Sequence, residues 1–484
     1  MNFKTVSLTL LAILFWSAAS HSQNAPINSF DCFSILVGKN ASADGSVLFA
    51  HNEDDWGDRI VNWYQVPSLM HKEGETITLK NGGSLQQVKQ TYGYMWLEMP
   101  EMEFSDSYMN EWGVTIGSDA CLSREKKPEL TDGGIGYWLR RAMAERAKTA
   151  REAVKIGGDL VEQFGYSSSG RTYCIADAHE AWMLSVVNGK HWVAQRIPDD
   201  HIAIIPNYYT ITTVDLNDSA NFYGSADLIE YAIKRKWYKP ATDGDFNFRL
   251  AYSDPGNLEN MGNIVRHWSA INKLYSEGFE TTDEFPFSYK PKRKIELTDL
   301  FGVLRNHNED SEYDQSENYT LGNPHEQGRA ICSNTTQYGF VAQLRTDLSS
   351  ELAFVMWLAP FRPCVHAFTQ WYYGMAKIPD GFAEGNYESA LDSHFEPIED
   401  VFEYAPENRF LEYVKNAKKV DNNYGSQIMM IRHKISVIES ELVENQASFE
   451  KMAQKNNSND KRQLKQTIQT YCEKQLGRSE EILK

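Results

Sequence analysis

Short β-like runs separated by turn residues recur along most of the chain, and they restrict the fold more than any other feature of the sequence. Residues 35–37 and 47–50 form two such runs on either side of Asp44-Gly45, which is a strong hairpin signal. Residues 173–206 contain four more runs that alternate with turn residues, and this pattern predicts an antiparallel meander. The first part of the chain is therefore rich in antiparallel strands.

One segment in this strand-rich region has helical character. Residues 135–154 are rich in Ala, Arg and Glu, and the pattern predicts a helix that ends before Gly157-Gly158. Two further strand-like runs follow between residues 336 and 358. Strands mixed with helices in this way are compatible with an α+β protein.

Composition limits the classes of partner. The 484 residues are 42% hydrophobic, which is enough for a sizeable core. There are 48 basic and 66 acidic residues, giving a net charge of -18. Nucleic acids and anionic membranes are bound through basic surfaces, so this balance argues against both. A small molecule or a peptide is the expected partner, and the sequence leaves open whether the protein forms a homo-oligomer.

The N-terminus has the pattern of a secretory signal peptide over residues 1–22. Lys4 precedes a short apolar run, and small residues follow it. The run is too short to span a bilayer, and no later segment is long and apolar enough for a membrane span. We therefore expect an exported protein, periplasmic or secreted, in which residues 23–31 form a leader or propeptide ahead of Cys32.

The cysteines do not indicate a metal site. None of the six forms a CxxC pair, so neither zinc nor thioredoxin chemistry has support from spacing, while the disulfide pairing stays open; they are Cys32, Cys121, Cys174, Cys332, Cys364 and Cys472. The acidic cluster Glu53-Asp54-Asp55 with Asp58 lacks the spacing of a calcium loop, which leaves a solvated loop as its ordinary interpretation. His325 and His366 lack a His-Glu-x-x-His pattern and are expected to be ordinary polar residues. We predict no metal and no organic cofactor.

A cysteine at a new chain start can supply its own base. If the chain is cut before Cys32, the free α-amine lies a few bonds from the sulfur of the same residue and can accept its proton. An amide nitrogen cannot accept a proton, so the leader would keep such an enzyme inactive. Cleavage between Asp31 and Cys32 would therefore create the base.

The residues around Cys32 carry a family resemblance. Residues 31–46, DCFSILVGKNASADGS, are followed by His51-Asn52-Glu53-Asp54, and together they resemble the start of the mature chain in the dipeptidase A and secernin family of cysteine peptidases. These enzymes belong to the N-terminal nucleophile hydrolases. Further matches follow in order at residues 110–114, 139–147, 175–207, 356–357 and 379–382. The resemblance implies a four-layer αββα sandwich, with two antiparallel sheets packed face to face between helices.

The resemblance also implies roles for individual residues. Cys32 would be the nucleophile and, through its amine, the base, and Asp54 would hold that amine. Asn207 would donate its side-chain amide to the oxyanion, with a backbone N–H from residues 117–120 as the second donor. Arg266 would be a positioning arginine.

His51 departs from the family pattern. The acylase relatives and many of the dipeptidases have arginine here, which is a fixed cation near the sulfur, whereas histidine is charged only part of the time near neutral pH. Stabilisation of the thiolate is therefore an open question. The substitution also permits a rival mechanism, in which His51 is a conventional base for Cys32 without any cleavage.

The C-terminal region follows a different pattern. Apolar residues recur at helical spacing on both sides of a polar turn at residues 456–460, which predicts a helical hairpin. We expect a hydrolase domain over residues 32–415 and a helical segment over residues 416–484. The hairpin either packs on the parent domain, which we favour, or forms a coiled coil with a partner.

Two classes of function remain. The first is an exported cysteine dipeptidase that cleaves small peptides through an acyl-enzyme on Cys32, with an acylase of N-acyl amino acids or amides, similar to penicillin V acylase or choloylglycine hydrolase, as its alternative. The second is a secreted interaction protein without catalysis.

Overall fold

The computed structural model describes residues 32–55, 59–275, 278–314, 316–320, 322–326, 329–383, 385–395, 408–456 and 460–483. The predicted signal peptide, the leader and Asp58 lie outside these residues. The strands in chain order are β1 Phe33–Val37, β2 Val47–Asp54, β3 Asn62–Val66, β4 Leu69–Met70, β5 Thr76–Thr78, β6 Ser84–Gln86, β7 Gln90–Thr91, β8 Tyr94–Glu98, β9 Ser107–Asn110, β10 Thr115–Ala120, β11 Arg171–Ala176, β12 Ala181–Val186, β13 Trp192–Arg196, β14 Ile202–Ile205, β15 Phe222–Gly224, β16 Thr336–Leu344, β17 Phe354–Ala359 and β18 Thr369–Tyr372.

The helices complete the described elements. They are α1 Trp138–Arg146, α2 Ala150–Phe164, α3 Leu228–Lys234, α4 Phe248–Tyr252, α5 Pro255–Leu258, α6 Met261–Leu274, α7 Leu297–Leu304, α8 Ser350–Ala353, α9 Tyr387–Ser393, α10 Arg409–Asp421, α11 Tyr424–Asn456 and α12 Lys461–Glu480. Two 3₁₀ turns lie at Pro324–Glu326 and Glu481–Leu483. None of the helices in the described ranges combines the length and apolar character needed to cross a membrane.

Two antiparallel sheets dominate the described part of the chain. The first has the order β14-β1-β2-β16-β17-β18, and the second has the order β15-β13-β12-β11-β10-β9-β8-β3. Two small sheets, β4-β7 and β5-β6, stand apart from them. The hairpin predicted around Asp44-Gly45 is present, since β1 and β2 pair from Phe33 opposite Asn52 to Val37 opposite Leu48.

The layers follow from the two apolar cores. One core lies between the sheets and continues beneath α6, α7, α10, α11 and α12 on the outer face of the first sheet. The other lies between the second sheet and the pair α1 and α2. The order helix, sheet, sheet, helix confirms the expected α+β fold of four layers.

The predicted helix differs from the observed ones in its bounds. Residues 135–154 contain α1 and the start of α2. Helix α2 begins at Ala150, after the N-cap Thr149, and continues through Gly157 and Gly158 to Phe164. The glycine pair does not end the helix. Its role is in packing, since the absence of side chains at these two positions lets α2 approach its neighbours closely. A Cβ at Gly158 would lie 2.1 Å from Trp192 Cζ2, and one at Gly157 would lie 2.6 Å from Met143 Sδ.

The predicted meander is also only partly correct. Strands β11, β12 and β13 are consecutive in the second sheet, but the fourth run, β14, pairs with β1 in the first sheet. Pro198 has no N–H for the sheet, and a turn closed by the His201 N–H on the Pro198 carbonyl redirects the chain. The chain thus crosses from the second sheet to the first between β13 and β14, and β14 leads to Asn207.

The C-terminal helices form the predicted hairpin and pack on the body of the protein. Helices α11 and α12 contact β18, and their apolar residues belong to the same core as the first sheet. Buried ion pairs fix α11 further, since Arg305 pairs with Glu439 over 2.6 Å and Arg345 pairs with Glu450 over 2.7 Å. The predicted boundary between residues 415 and 416 falls inside α10.

Candidate active site

Cys32 lies directly before β1, beside the end of β2. Its sulfur is 3.1 Å from Glu53 Oε1 and 3.6 Å from the carbonyl oxygen of Asp54. The residue is only 2% exposed. The predicted nucleophile is therefore enclosed, with a carboxyl group as a hydrogen-bond partner.

The surroundings of Cys32 favour the neutral thiol. Burial raises the pKa of the Cys32 thiol well above its ordinary value, and the carboxyl groups of Glu53 and Asp119 raise it further. Arg171 acts in the opposite direction. Because the attacking species must be a thiolate, the sulfur needs a base and a nearby cation.

Glu53 is the neighbour that the sequence analysis underestimated. Burial raises the pKa of its carboxyl group to about 8, against the opposing charges of Arg140 and Arg171. Glu53, Asp54 and Asp55 are all buried, so the solvated-loop interpretation of this acidic cluster is wrong for them. Glu53 instead lies against Cys32 and His51, whereas the next residue, Asp54, points to the other face of β2 and accepts hydrogen bonds from Ser333 and Thr336.

His51 is held away from the sulfur by its own hydrogen bonds. Nδ1 lies 2.8 Å from Ser34 Oγ, and Nε2 lies 3.1 Å from Glu53 Oε2. Burial, together with Arg140 and Arg171, lowers the pKa of His51 to about 4 despite the opposing charge of Asp119. Among the described residues, Glu53 rather than His51 contacts the Cys32 sulfur, so the rival mechanism lacks the contact it requires.

Two arginines supply fixed positive charge. Arg140 and Arg171 are buried and donate to the same hydroxyl, Ser118 Oγ, over 2.7 and 3.1 Å. The charge of Arg171 lowers the pKa of the Cys32 thiol, and both charges act on Glu53. The guanidinium that acts on the sulfur is therefore Arg171, on β11 of the second sheet, and does not come from the position of His51 on β2.

Asp54 stands at the position predicted for holding the amine. Its carboxylate is fully buried and accepts hydrogen bonds from Ser333 Oγ over 2.8 Å and from Thr336 Oγ1. Its carbonyl oxygen is the second contact of the Cys32 sulfur. Two hydroxyl groups therefore hold the carboxylate in place, and its role toward a free amine stays a prediction.

Asn207 approaches Cys32 from the end of the neighbouring strand β14, and Arg266 approaches it from helix α6. Ile205 in β14 lies opposite Ser34 in β1, so Asn207 leaves the sheet beside Cys32. Asn207 has the left-handed backbone conformation, with φ of 72°, which asparagine adopts more readily than most residues. Arg266 Nη2 donates to Asn207 Oδ1 over 2.7 Å, and Arg266 Nη1 lies 3.4 Å from the Cys32 carbonyl oxygen.

This network fixes the direction of the Asn207 amide. Because Oδ1 accepts from Arg266, Nδ2 turns toward β10, where it donates to the Ala120 carbonyl over 3.2 Å. An amide nitrogen has two hydrogens, so one donor remains for another acceptor. In the described registers β9 pairs with β10 only at Thr115 and Ile116, which leaves this edge of residues 117–120 without a strand partner. The predicted second oxyanion donor lies in that stretch.

A cavity lies on the other side of this network. It measures about 440 Å³ and is lined by Met261, Gly262 and Val265 of α6 together with Arg329 and residues of the 307–330 segment. Asn263 connects it to the candidate site, since its Oδ1 accepts from Arg266 over 2.9 Å and from Arg329 over 3.1 Å.

Comparison with known proteins places the chain in a family. Residues 31–423 match peptidase family C69. The chain belongs to this family. A probable dipeptidase of Latilactobacillus sakei is 30% identical over 360 residues, covering 70% of this chain and 74% of that protein. Dipeptidase A of Lactobacillus helveticus is 26% identical, covering 73% of this chain and 77% of that protein.

This member of peptidase family C69 has more distant similarities among solved structures. Penicillin V acylase from Agrobacterium tumefaciens matches with 13% identity and a TM-score of 0.34, covering 67% of this chain and 82% of that chain. A mutant conjugated bile acid hydrolase from Clostridium perfringens matches with 10% identity and a TM-score of 0.29, covering 73% of this chain and 94% of that chain. Family membership confirms the resemblance noted from the sequence and supports an enzyme that hydrolyses peptide or amide bonds.

Proposed function

We propose that this C69 family member is an exported cysteine dipeptidase or related amidohydrolase, with Cys32 as its nucleophile. The observation that carries the proposal is the contact network of Cys32, Glu53, Asn207 and Arg266 at one end of the first sheet. The network joins a thiol, an amide donor and a fixed cation, and cleavage before Cys32 would add the α-amine as the base; these are the parts that acyl transfer requires.

The first step in the proposed mechanism is removal of the chain up to Asp31. Cleavage converts the Cys32 amide nitrogen into an amine, which lies close enough to take the proton from its own sulfur. The Asp54 carboxylate, held by Ser333 and Thr336, stabilises the resulting ammonium. Arg171 supplies the positive charge that favours the thiolate.

Acylation and hydrolysis follow on the same atoms. The thiolate attacks the carbonyl carbon of the scissile bond, and the oxyanion accepts hydrogen bonds from Asn207 Nδ2 and a backbone N–H of residues 117–120. The ammonium of Cys32 returns its proton to the leaving amine as the carbon–nitrogen bond breaks. Water then attacks the thioester, the Cys32 amine accepts a proton from it, and the carboxylic acid product leaves.

We propose that the cavity beside α6, which is linked to Arg266 through Asn263, receives part of a small substrate. Its volume of about 440 Å³ falls within the range of ordinary ligand sites. Arg329 at its wall supplies a positive charge that suits the free carboxylate of a dipeptide. We therefore favour dipeptides over uncharged N-acyl amides.

The test compares Cys32→Ala with Cys472→Ala, a matched variant of a buried cysteine on α12. Intact mass and N-terminal sequencing should show wild type and Cys472→Ala beginning at Cys32. Both should hydrolyse dipeptides and give a burst with an activated amide, while Cys32→Ala should not. A Cys32→Ala variant with full activity, or working protein that begins at Gln23 or earlier, would contradict the proposal.

Substrate class is tested separately with the processed enzyme. A panel of dipeptides, N-acyl amino acids and penicillin V distinguishes a dipeptidase from an acylase through the ratio of kcat/KM values. Faster hydrolysis of the N-acyl compounds would keep Cys32 as nucleophile and assign the enzyme to the acylases. An uncut chain without turnover of either class would indicate an interaction protein instead.

A further inference from the structure

Four metal-ligating side chains meet away from the candidate active site. They are His307, which follows α7, His325 in the first 3₁₀ turn, Cys332 ahead of β16 and Cys364 after β17. One donor atom from each residue lies within 4.8 Å of those of the other three. All four residues are buried. Within the described chain, the fold thus gathers two sulfur and two nitrogen donors from separate segments into one place.

The donor atoms are poorly satisfied by the protein alone. His307 Nε2 is buried and has no hydrogen-bond partner among the described residues. His325 Nε2 faces Cys364 Sγ at 3.5 Å, and both cysteines are free thiols. A buried polar nitrogen without a partner is unfavourable, and a bound cation would satisfy it.

The outer nitrogens of both histidines are backed by acidic groups. His325 Nδ1 lies 3.2 Å from Asp421 Oδ1, and His307 Nδ1 lies 3.7 Å from Glu309 Oε1 and 3.4 Å from the Tyr319 hydroxyl. A carboxylate that accepts from the outer N–H of a histidine is the usual partner of a metal ligand, because it fixes the tautomer that leaves the inner nitrogen free, and Asp421 is placed to do this for His325.

Two arginines complete this outer layer. Arg362 pairs with Asp421 over 2.6 Å, and Arg432 pairs with Glu309 over 2.7 Å. Each guanidinium also lies 3.1 Å from the outer nitrogen of the neighbouring histidine, His325 or His307. The carboxylates are therefore ordered by charge pairs that reach from the body of the protein to α10 and α11.

We propose that His307, His325, Cys332 and Cys364 bind one Zn²⁺ in a closed, structural site. Two thiolates and two imidazoles form the tetrahedral donor set that zinc prefers, and four protein ligands leave no position for water or substrate. Binding displaces the protons of the thiols that are still protonated, while the histidines bind in their neutral form. The four ligands follow no compact spacing along the chain, so the sequence alone predicts no metal.

The site would stabilise one wall of the α6 cavity. The segment between His307 and Ala330 supplies several of the residues that line the cavity. Zinc would tie the two ends of this segment to β16 and β17, while Asp421 and Arg432 connect it to α10 and α11. The inference concerns the fold and does not depend on the identity of the nucleophile.

The experiment measures metal in the full-length chain purified without chelator. Elemental analysis by mass spectrometry should find one zinc per chain in wild type and in two controls, Cys472→Ser and His366→Gln, which alter buried residues outside the cluster. The double variant Cys332→Ser with Cys364→Ser should contain at least about tenfold less. Chelation of wild type should lower Tm, and added zinc should restore it.

X-ray absorption at the zinc edge of wild type tests the ligands without any variant. It should show two sulfur neighbours at about 2.3 Å and two nitrogen neighbours at about 2.0 Å. Zinc bound only by nitrogen and oxygen would overturn the assignment, as would equimolar iron or copper in its place. Wild type without metal even after zinc addition, or a mass lower by two hydrogens from a Cys332–Cys364 disulfide, would also overturn it.

Discussion

Arg266 donates to Asn207 Oδ1 over 2.7 Å, and the same guanidinium lies 3.4 Å from the carbonyl oxygen of Cys32. One buried cation therefore orients the proposed oxyanion donor and contacts the backbone of the proposed nucleophile. Its proposed role is to position Asn207, since it donates to the Asn207 side chain and contacts Cys32 at the backbone carbonyl.

Removal of the Asn207 amide should reduce turnover without unfolding the protein. Asn207→Ala is expected to lower kcat by about 10²- to 10³-fold, because one oxyanion donor is worth about 3 kcal/mol. Steady-state kinetics on the processed enzyme measure the effect, with circular dichroism as a check on folding. Unchanged kcat would remove Asn207 from the mechanism.

Arg266→Lys should give a smaller loss that falls on kcat rather than KM. Lysine keeps the charge but loses the planar fork that holds the Asn207 amide, and we expect about a tenfold decrease. Arg249→Lys is the matched control, since Arg249 is also buried but donates to the carbonyls of Thr210 and Phe285. Equal losses in both variants would indicate a general effect on folding.

His51→Gln tests the rival mechanism. Because His51 contacts Ser34 and Glu53 rather than the sulfur, we expect the variant to keep at least about a tenth of wild-type kcat/KM, whereas loss of a general base costs about 10²- to 10⁴-fold. Full pH profiles of both proteins provide the measurement. A decrease in kcat/KM of about 10²- to 10⁴-fold, together with disappearance of the acidic limb of the pH profile, would favour His51 as the base.

Glu53→Gln should change how stability depends on pH. The pKa of Glu53 rises from 4.5 to about 8 on burial, so between these values the folded state holds a proton that the unfolded chain has released. Stability contributed by this group therefore falls as pH rises through that window, by at most about 1.4 kcal/mol per pH unit.

Urea unfolding at pH 5 and pH 8 measures this difference. Wild type and the exposed control Glu73→Gln should lose more stability between the two pH values than Glu53→Gln does. Parallel behaviour of all three proteins would show that Glu53 titrates as an ordinary carboxyl group.

Two glycine substitutions test the packing of the helices. Gly158→Ala places a methyl group 2.1 Å from Trp192 Cζ2 and should destabilise the protein by about 1–3 kcal/mol. Gly477→Ala lies in α12 with no atom within 4 Å of the new carbon and should stabilise it by about 0.5–1 kcal/mol. Thermal unfolding of both variants measures the contrast, and stabilisation by Gly158→Ala would contradict the close contact between α2 and the second sheet.

The sequence predicted correctly the elements that depend on residues close together in the chain. The turn at Asp44-Gly45, the strand-like runs of β16 and β17 and the spacing of apolar residues in α11 all describe neighbours along the chain. The four layers and the family followed from a resemblance anchored around Cys32. These features needed no knowledge of which distant segments meet.

Features that depend on distant contacts were missed or misread. From the sequence alone Gly157-Gly158 indicates a helix end, and only the contact with Trp192 explains why glycine lies inside α2. The run of β14 likewise looks like a fourth strand of the meander, although the turn at Pro198 takes it to the other sheet. The charge near Cys32 comes from Arg171 on the other sheet, which no local pattern marks. The same limitation applies to His307 and Cys364, since only the tertiary fold brings them together.

The alignment of β14 with β1 sets the spacing between proposed nucleophile and proposed donor. Ile205 faces Ser34, and neither strand has a bulge in this pairing. One inserted residue in β14 would displace Asn207 by about 3.4 Å and turn its side chain to the opposite side of the sheet. The length of this four-residue strand is therefore tied to the distance between Asn207 and Cys32, and we expect one inserted or deleted residue in it to abolish turnover even in a protein that still folds.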